Sequence, residues 1–65
     1  MKRRALERHL REHGCELDRE GASHSWWAAP GGKPRAALPR HKEIQYPLAR
    51  KICKQLGVPA PKGSR

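Results

Sequence analysis

No apolar run in this chain exceeds the four residues Trp26–Ala29, so nothing in it reads as a membrane span. Phenylalanine is absent, and the aromatic content rests on two tryptophans and one tyrosine. The two cysteines, Cys15 and Cys53, form no CxxC pair and read as small buried hydrophobes rather than as a disulfide. Acidic residues are scarce, six against fifteen Lys and Arg, which leaves a net charge of +9. Residues 1–20 carry six bases and five acids, whereas residues 21–65 carry nine bases and a single acid, Glu43. That imbalance points to a polyanionic partner and puts the anion-facing surface mainly after Gly21. The opening MKRR runs directly into an amphipathic pattern rather than an apolar leader, so the expected location is the cytoplasm.

A chain of 65 residues at 35% hydrophobic content supports one small domain with a modest core. In KRRALERHLREH, Ala5, Leu6 and Leu10 share one side of a helix, and Gly14 supplies the left-handed residue that ends it. Cys15 to Glu20 alternates Cys15, Leu17 and Arg19 with Glu16, Asp18 and Glu20, predicting a strand with one acidic face. Gly21, Ala22 and Ser23 form a turn into a second strand over Ser25–Ala29. Pro30, Gly31, Gly32, Lys33 and Pro34 break the chain before a short edge strand, Arg35–Leu38, closed by Pro39. Pro47 then suits a first helical position, Leu48, Ala49, Ile52, Cys53 and Leu56 recur at helical spacing, and Gly57 ends the helix. The order helix, strand, strand, strand, helix predicts a two-layer α+β domain with both helices on one face of an antiparallel sheet. Its limits are expected at residues 1–59, with 60–65 a flexible tail.

Four histidines raise the question of a metal, but His9 and His13 stand alone on a helix face, and Cys15, His24, His41 and Cys53 sit singly on separate elements. No metal or cofactor is expected. No P-loop and no Ser/His/Asp set is present either. What remains is His24 in GASHSW, followed by the bases Lys33, Arg35, Arg40, His41 and Lys42. RNA cleavage needs little machinery, because the RNA's own 2′-hydroxyl is the nucleophile. Imidazole titrates near neutrality and suits the proton transfers, while guanidinium and ammonium groups suit the charge that builds at phosphorus. On spacing alone a histidine beside a turn is more often an ordinary hydrogen-bonded residue than a catalytic one, and Arg40–Lys42 can equally be read as a solvated charge run or His41 as a turn-stabilising hydrogen-bonder. Trp26 and Trp27 must face opposite ways on a regular strand, so that if His24 lies on the open face Trp26 shares it, available to stack on a base or to pack on a partner. Arg50, Lys51 and Lys54, on the outside of the second helix, supply general attraction to RNA or to an acidic partner.

The segments RRALERHLREHGCELDREGASHSWW, PRHKEI and LARKICKQLGVP resemble the HicA family of small bacterial toxins over about Lys2 to Pro59. That resemblance implies an α-β-β-β-α fold similar to double-stranded-RNA-binding domains. It also implies a metal-independent mRNA interferase of a toxin–antitoxin system, linked to stress response and held inactive by a HicB antitoxin. The family's catalytic histidine matches His24. Where many relatives carry a second glycine, an asparagine or a second histidine in that turn, this chain has Ala22, Ser23 and Ser25. Two other readings stay open on the residues alone: a non-catalytic RNA-binding module, and a protein whose bases serve an acidic partner.

Overall fold

Both helices of this protein end in the same way. In α1, Arg3–Glu12, the Cys15 N–H donates to the Leu10 carbonyl at 2.9 Å and the Gly14 N–H to that of Arg11 at 3.0 Å. In α2, Tyr46–Gln55, Val58 and Gly57 repeat the pattern onto Cys53 and Lys54 at 3.0 and 3.1 Å. These paired bonds satisfy carbonyls that a helix end otherwise leaves open, and they require a left-handed residue. Gly14 and Gly57 supply it, at φ of +86° and +73°. The residue after each glycine then folds back onto the last turn, which is how Cys15 enters the core. Pro47 stands in the first turn of α2, where its missing N–H costs nothing.

Between the helices lie β1, Glu16–Glu20; β2, His24–Ala28; and β3, Arg35–Pro39. The structure, a computed structural model, describes residues 1–62. The strands form one antiparallel sheet in the order β1-β2-β3, so β1 and β3 are its edges. The architecture is the expected α-β-β-β-α, consistent with a double-stranded-RNA-binding-domain-like fold.

Parity along β2 sorts the two layers. Ser25 and Trp27 point into the helices and are buried; His24 and Trp26 point away and are exposed. Trp27 is 0% exposed and belongs to one core cluster with Leu6 and Leu10 of α1, Leu38 of β3, and Ile52 and Cys53 of α2. Removing so large an aromatic from a core costs about 3–5 kcal/mol. The Arg11 guanidinium covers its ring at 5.0 Å, while the indole N–H is buried without a partner among the described residues. Both cysteines are free and buried, as expected. Burial raises both thiol pKa values, and at Cys53 the nearby Cys15 adds to the effect.

The expected single acidic face of β1 is not found. Leu17 pairs with Trp27 but Arg19 pairs with Trp26, so Asp18 is the extra residue of a bulge. One inserted residue reverses the alternation beyond it, which separates Glu16 from Glu20. Asp18 instead reaches Arg35 at 3.2 Å, while Glu20 accepts a hydrogen bond from Ser25 Oγ at 3.0 Å.

Residues 1–3 run alongside 42–44. The Ile44 N–H donates to the Met1 carbonyl at 2.7 Å and the Arg3 N–H to the Lys42 carbonyl at 2.8 Å, forming an antiparallel bridge between Lys2 and Glu43. This strap fixes the start of α1 against the segment that leads into α2. At the other end, Tyr46 Oη donates to the Pro61 carbonyl at 3.0 Å, and Pro61 is buried. Residues 63–65 of the expected tail lie outside the described residues.

The two cap glycines separate backbone strain from crowding. A Cβ at Gly57 meets nothing within 4 Å, whereas one at Gly14 would lie 3.1 Å from Pro30 Cγ. Gly57→Ala is expected to cost about 1–2 kcal/mol, the ordinary penalty of a left-handed alanine. Gly14→Ala should cost more. Urea unfolding checks this: the midpoint of Gly14→Ala must fall further than that of Gly57→Ala at unchanged slope.

Candidate active site

The register brings His24 to a corner. It is the first residue of β2 and pairs with Pro39, the last residue of β3. The β1–β2 turn therefore meets the exit of β3, and the chain leaving β3 enters Arg40, His41 and Lys42. Sequence separation hides this juxtaposition; antiparallel pairing creates it.

Arg40 closes the corner. Its Nη1 donates to the Gly21 carbonyl at 3.0 Å, and its Nη2 lies 3.7 Å from Glu20 Oε1. The same Glu20 oxygen accepts from the buried Ser25. The Gly21 N–H donates to the His24 carbonyl at 2.7 Å. No non-glycine residue here has positive φ, so the turn is not the primed type that usually closes a two-residue hairpin. The guanidinium takes up the Gly21 carbonyl instead. Arg40 thus links the turn before β2 to the end of β3.

The imidazole of His24 is exposed, and its Nδ1 shares a hydrogen bond with Ser23 Oγ at 3.1 Å. A serine hydroxyl both donates and accepts, so it suits either tautomer of the ring. Two residues on, Trp26 is 39% exposed on the same face, with Arg19 opposite it on β1 and the small Ala37 opposite on β3. Trp27 is the core residue and Trp26 the open one, the arrangement expected on the condition, met here, that His24 lies on the open face.

The other cations divide into two groups. Arg40, His41 and Lys42 follow the corner and are exposed. Arg35 pairs with Ala28 at the opposite end of β2, about 13 Å from His24 along the strand, and its guanidinium is engaged by Asp18. Lys33 lies further away, in the loop before β3. The fold therefore gathers His24, Trp26 and Arg40 and leaves Lys33 and Arg35 apart from them.

Sequence reasoning missed Ser23 and Glu20. Ser23 carried a weak signal as the polar neighbour of a candidate histidine; Glu20 carried none, because its partner Arg40 is twenty residues away. Among the described residues no three His, Cys, Asp or Glu side chains converge as a metal set. The His9 and His13 rings lie 4.6 Å apart, tilted by 57°, and His9 Nε2 meets the Pro59 carbonyl at 2.8 Å.

Residues 3–58 match the family model described as HicA toxin of bacterial toxin-antitoxin. The chain belongs to the HicA toxin family. No curated protein and no solved structure matches it. The HicA match takes in both helices, all three strands and the capping turn at Gly57 and Val58, and with them the whole His24 corner. Membership in this family places the protein as the toxin partner of a toxin–antitoxin pair. Among the described residues no helix is long and apolar enough to cross a membrane.

Gly21 is the most constrained residue of the HicA corner. A Cβ there would stand 3.0 Å from the His24 carbonyl oxygen, the acceptor of Gly21's own N–H. Gly21→Ala is expected to displace the turn while sparing the core. Amide NMR shifts should move over residues 20–26 and 39–40 and stay put at Leu6 and Ile52; an unmoved turn would refute the tight approach.

Proposed function

We propose that this HicA-family protein is an endoribonuclease of a type II toxin–antitoxin system, cutting mRNA in the cytoplasm without a metal ion and neutralised by a HicB-type antitoxin. The observation that carries the reading is His24, an exposed imidazole held at one nitrogen by Ser23 and flanked by the Arg40 corner. With Nδ1–H donating to Ser23 Oγ, Nε2 is left unprotonated and outward, as a general base requires.

In this mechanism Nε2 removes the 2′-hydroxyl proton as that oxygen attacks phosphorus. The O2′–P bond forms, the P–O5′ bond breaks, and the imidazolium returns the proton to the leaving 5′-oxygen. The products are a 2′,3′-cyclic phosphate and a 5′-hydroxyl. In this scheme Ser23 Oγ accepts from Nδ1–H and acts as a positioning residue. Arg40 already bonds the turn, so its part is to set the corner and to keep positive charge beside the phosphate. His41 and Lys42 contact the RNA backbone. Trp26 offers a base a flat surface next to the scissile linkage. Lys33 and Arg35 lie too far along β2 to meet the same phosphate and contribute only long-range attraction.

Incubating RNA with the protein in excess EDTA tests this mechanism. Cleavage is expected to persist in the chelator and to fall at least about 100-fold in His24→Ala, with circular dichroism and antitoxin binding unchanged. Strict divalent-metal dependence, or undiminished cutting by the variant, overturns it. RNA that is bound but never cut by either protein identifies a non-catalytic binding module instead.

Trp26 has its own test in the His24→Ala background, where RNA stays intact. Trp26→Ala should weaken binding of a labelled single-stranded RNA by about 1–3 kcal/mol, read by fluorescence anisotropy, with little loss of stability. Unchanged affinity assigns the indole to a protein partner.

A further inference from the structure

The geometry points to a second phosphate-binding site, formed by Lys2, Arg3, Arg4 and Lys42, that grips the backbone of the same RNA strand whose scissile linkage lies at His24. This inference rests on the endoribonuclease reading above.

Charge counting along the chain puts the anion-facing surface after Gly21, because residues 1–20 are nearly neutral in sum. The strap between residues 1–3 and 42–44 undoes that division. The bonds Arg3 N–H to Lys42 and Ile44 N–H to Met1 fold the KRR segment against Lys42. Lys2, Arg3, Arg4 and Lys42 together line an open cleft of about 470 Å³. Among the described residues no acidic side chain lines it. Glu43, the nearest acid in sequence, turns to the amino group of Met1 at 3.1 Å. Glu7 reaches Arg3 only at 3.7 Å, and the other three cations have no ion-pair partner among the described residues. The first turn of α1 adds to the positive field, since it holds no acid and no capping side chain.

Four cations facing one cleft repel each other, and a polyanion relieves that repulsion. A phosphodiester backbone fits better than an acidic protein surface. Protein interface cores favour aromatic residues and deplete lysine, and this cleft is lined by basic side chains alone. Its position agrees. Lys42 is two residues, at most about 7 Å of chain, beyond the arginine that closes the His24 corner. A strand with its reacting linkage at His24 therefore passes His41 and enters the cleft with its flanking phosphates. The site would fix which way the RNA runs across the corner and would contribute affinity without touching the reacting atoms.

The test compares K2Q/R4Q/K42Q with R50Q/K51Q/K54Q, which removes the same charge from the outside of α2. Anisotropy titrations of a labelled mixed-sequence single-stranded RNA are run in the His24→Ala background over a range of salt. The cleft variant is expected to bind on the order of ten-fold more weakly, with the slope of log affinity against log salt shallower by about 2, as loss of three phosphate contacts requires. The α2 variant should shift both far less. With His24 intact, the cleft variant should show a raised KM at unchanged kcat. Equal effects from the two variants overturn the assignment, as does an unchanged salt slope with lost antitoxin affinity, which would make the cleft a protein-docking surface. If the slope changes as stated but the protein with His24 intact cuts no RNA, the phosphate site stands and the endoribonuclease reading fails.

Discussion

Burial of Trp27 decides the layout of this protein. Few side chains are large enough to fill the space between a three-stranded sheet and two short helices, and this indole lies in one core cluster with residues of both helices and of β3. Once it points inward, the pleat leaves no choice for its neighbours. Trp26 and His24 must lie on the uncovered face. The exposure of the imidazole is thus a consequence of packing three residues away. A chain poor in aromatics uses one tryptophan to build the core and leaves the adjacent one on the open face.

Position on that surface comes from a second device. Antiparallel pairing aligns the start of β2 with the end of β3, and Arg40 joins the two through the Gly21 carbonyl and Glu20. Neither contact is strong alone, since both are exposed and the ion pair is long. Their value lies in connecting three chain segments at one point. The turn holding His24 is consequently braced from outside rather than by its own conformation, which matters because it contains small residues of low intrinsic rigidity.

What the residues revealed on their own was local in character. Gly14 and Gly57 marked the helix ends, Pro47 a helix start, and the Trp26–Trp27 pair a split between core and surface, because each depends only on chain neighbours. The Asp18 bulge was invisible, since register is set by β2 rather than by β1 itself. Glu20 bracing Arg40, and KRR lying beside Lys42, were invisible for a related reason: both arise when segments distant in sequence are brought together by the sheet or the strap. His24 was singled out by its chemistry and by its resemblance to a known toxin turn. Ser23, its partner, became meaningful only when a distance could be measured.

The irregularity in β1 has a further effect. A sheet with two open margins invites strands of other molecules to dock. Here one margin is kinked at Asp18 and the other ends in Pro39, which lacks the N–H an incoming strand needs. Self-templating growth is thereby discouraged at both sides.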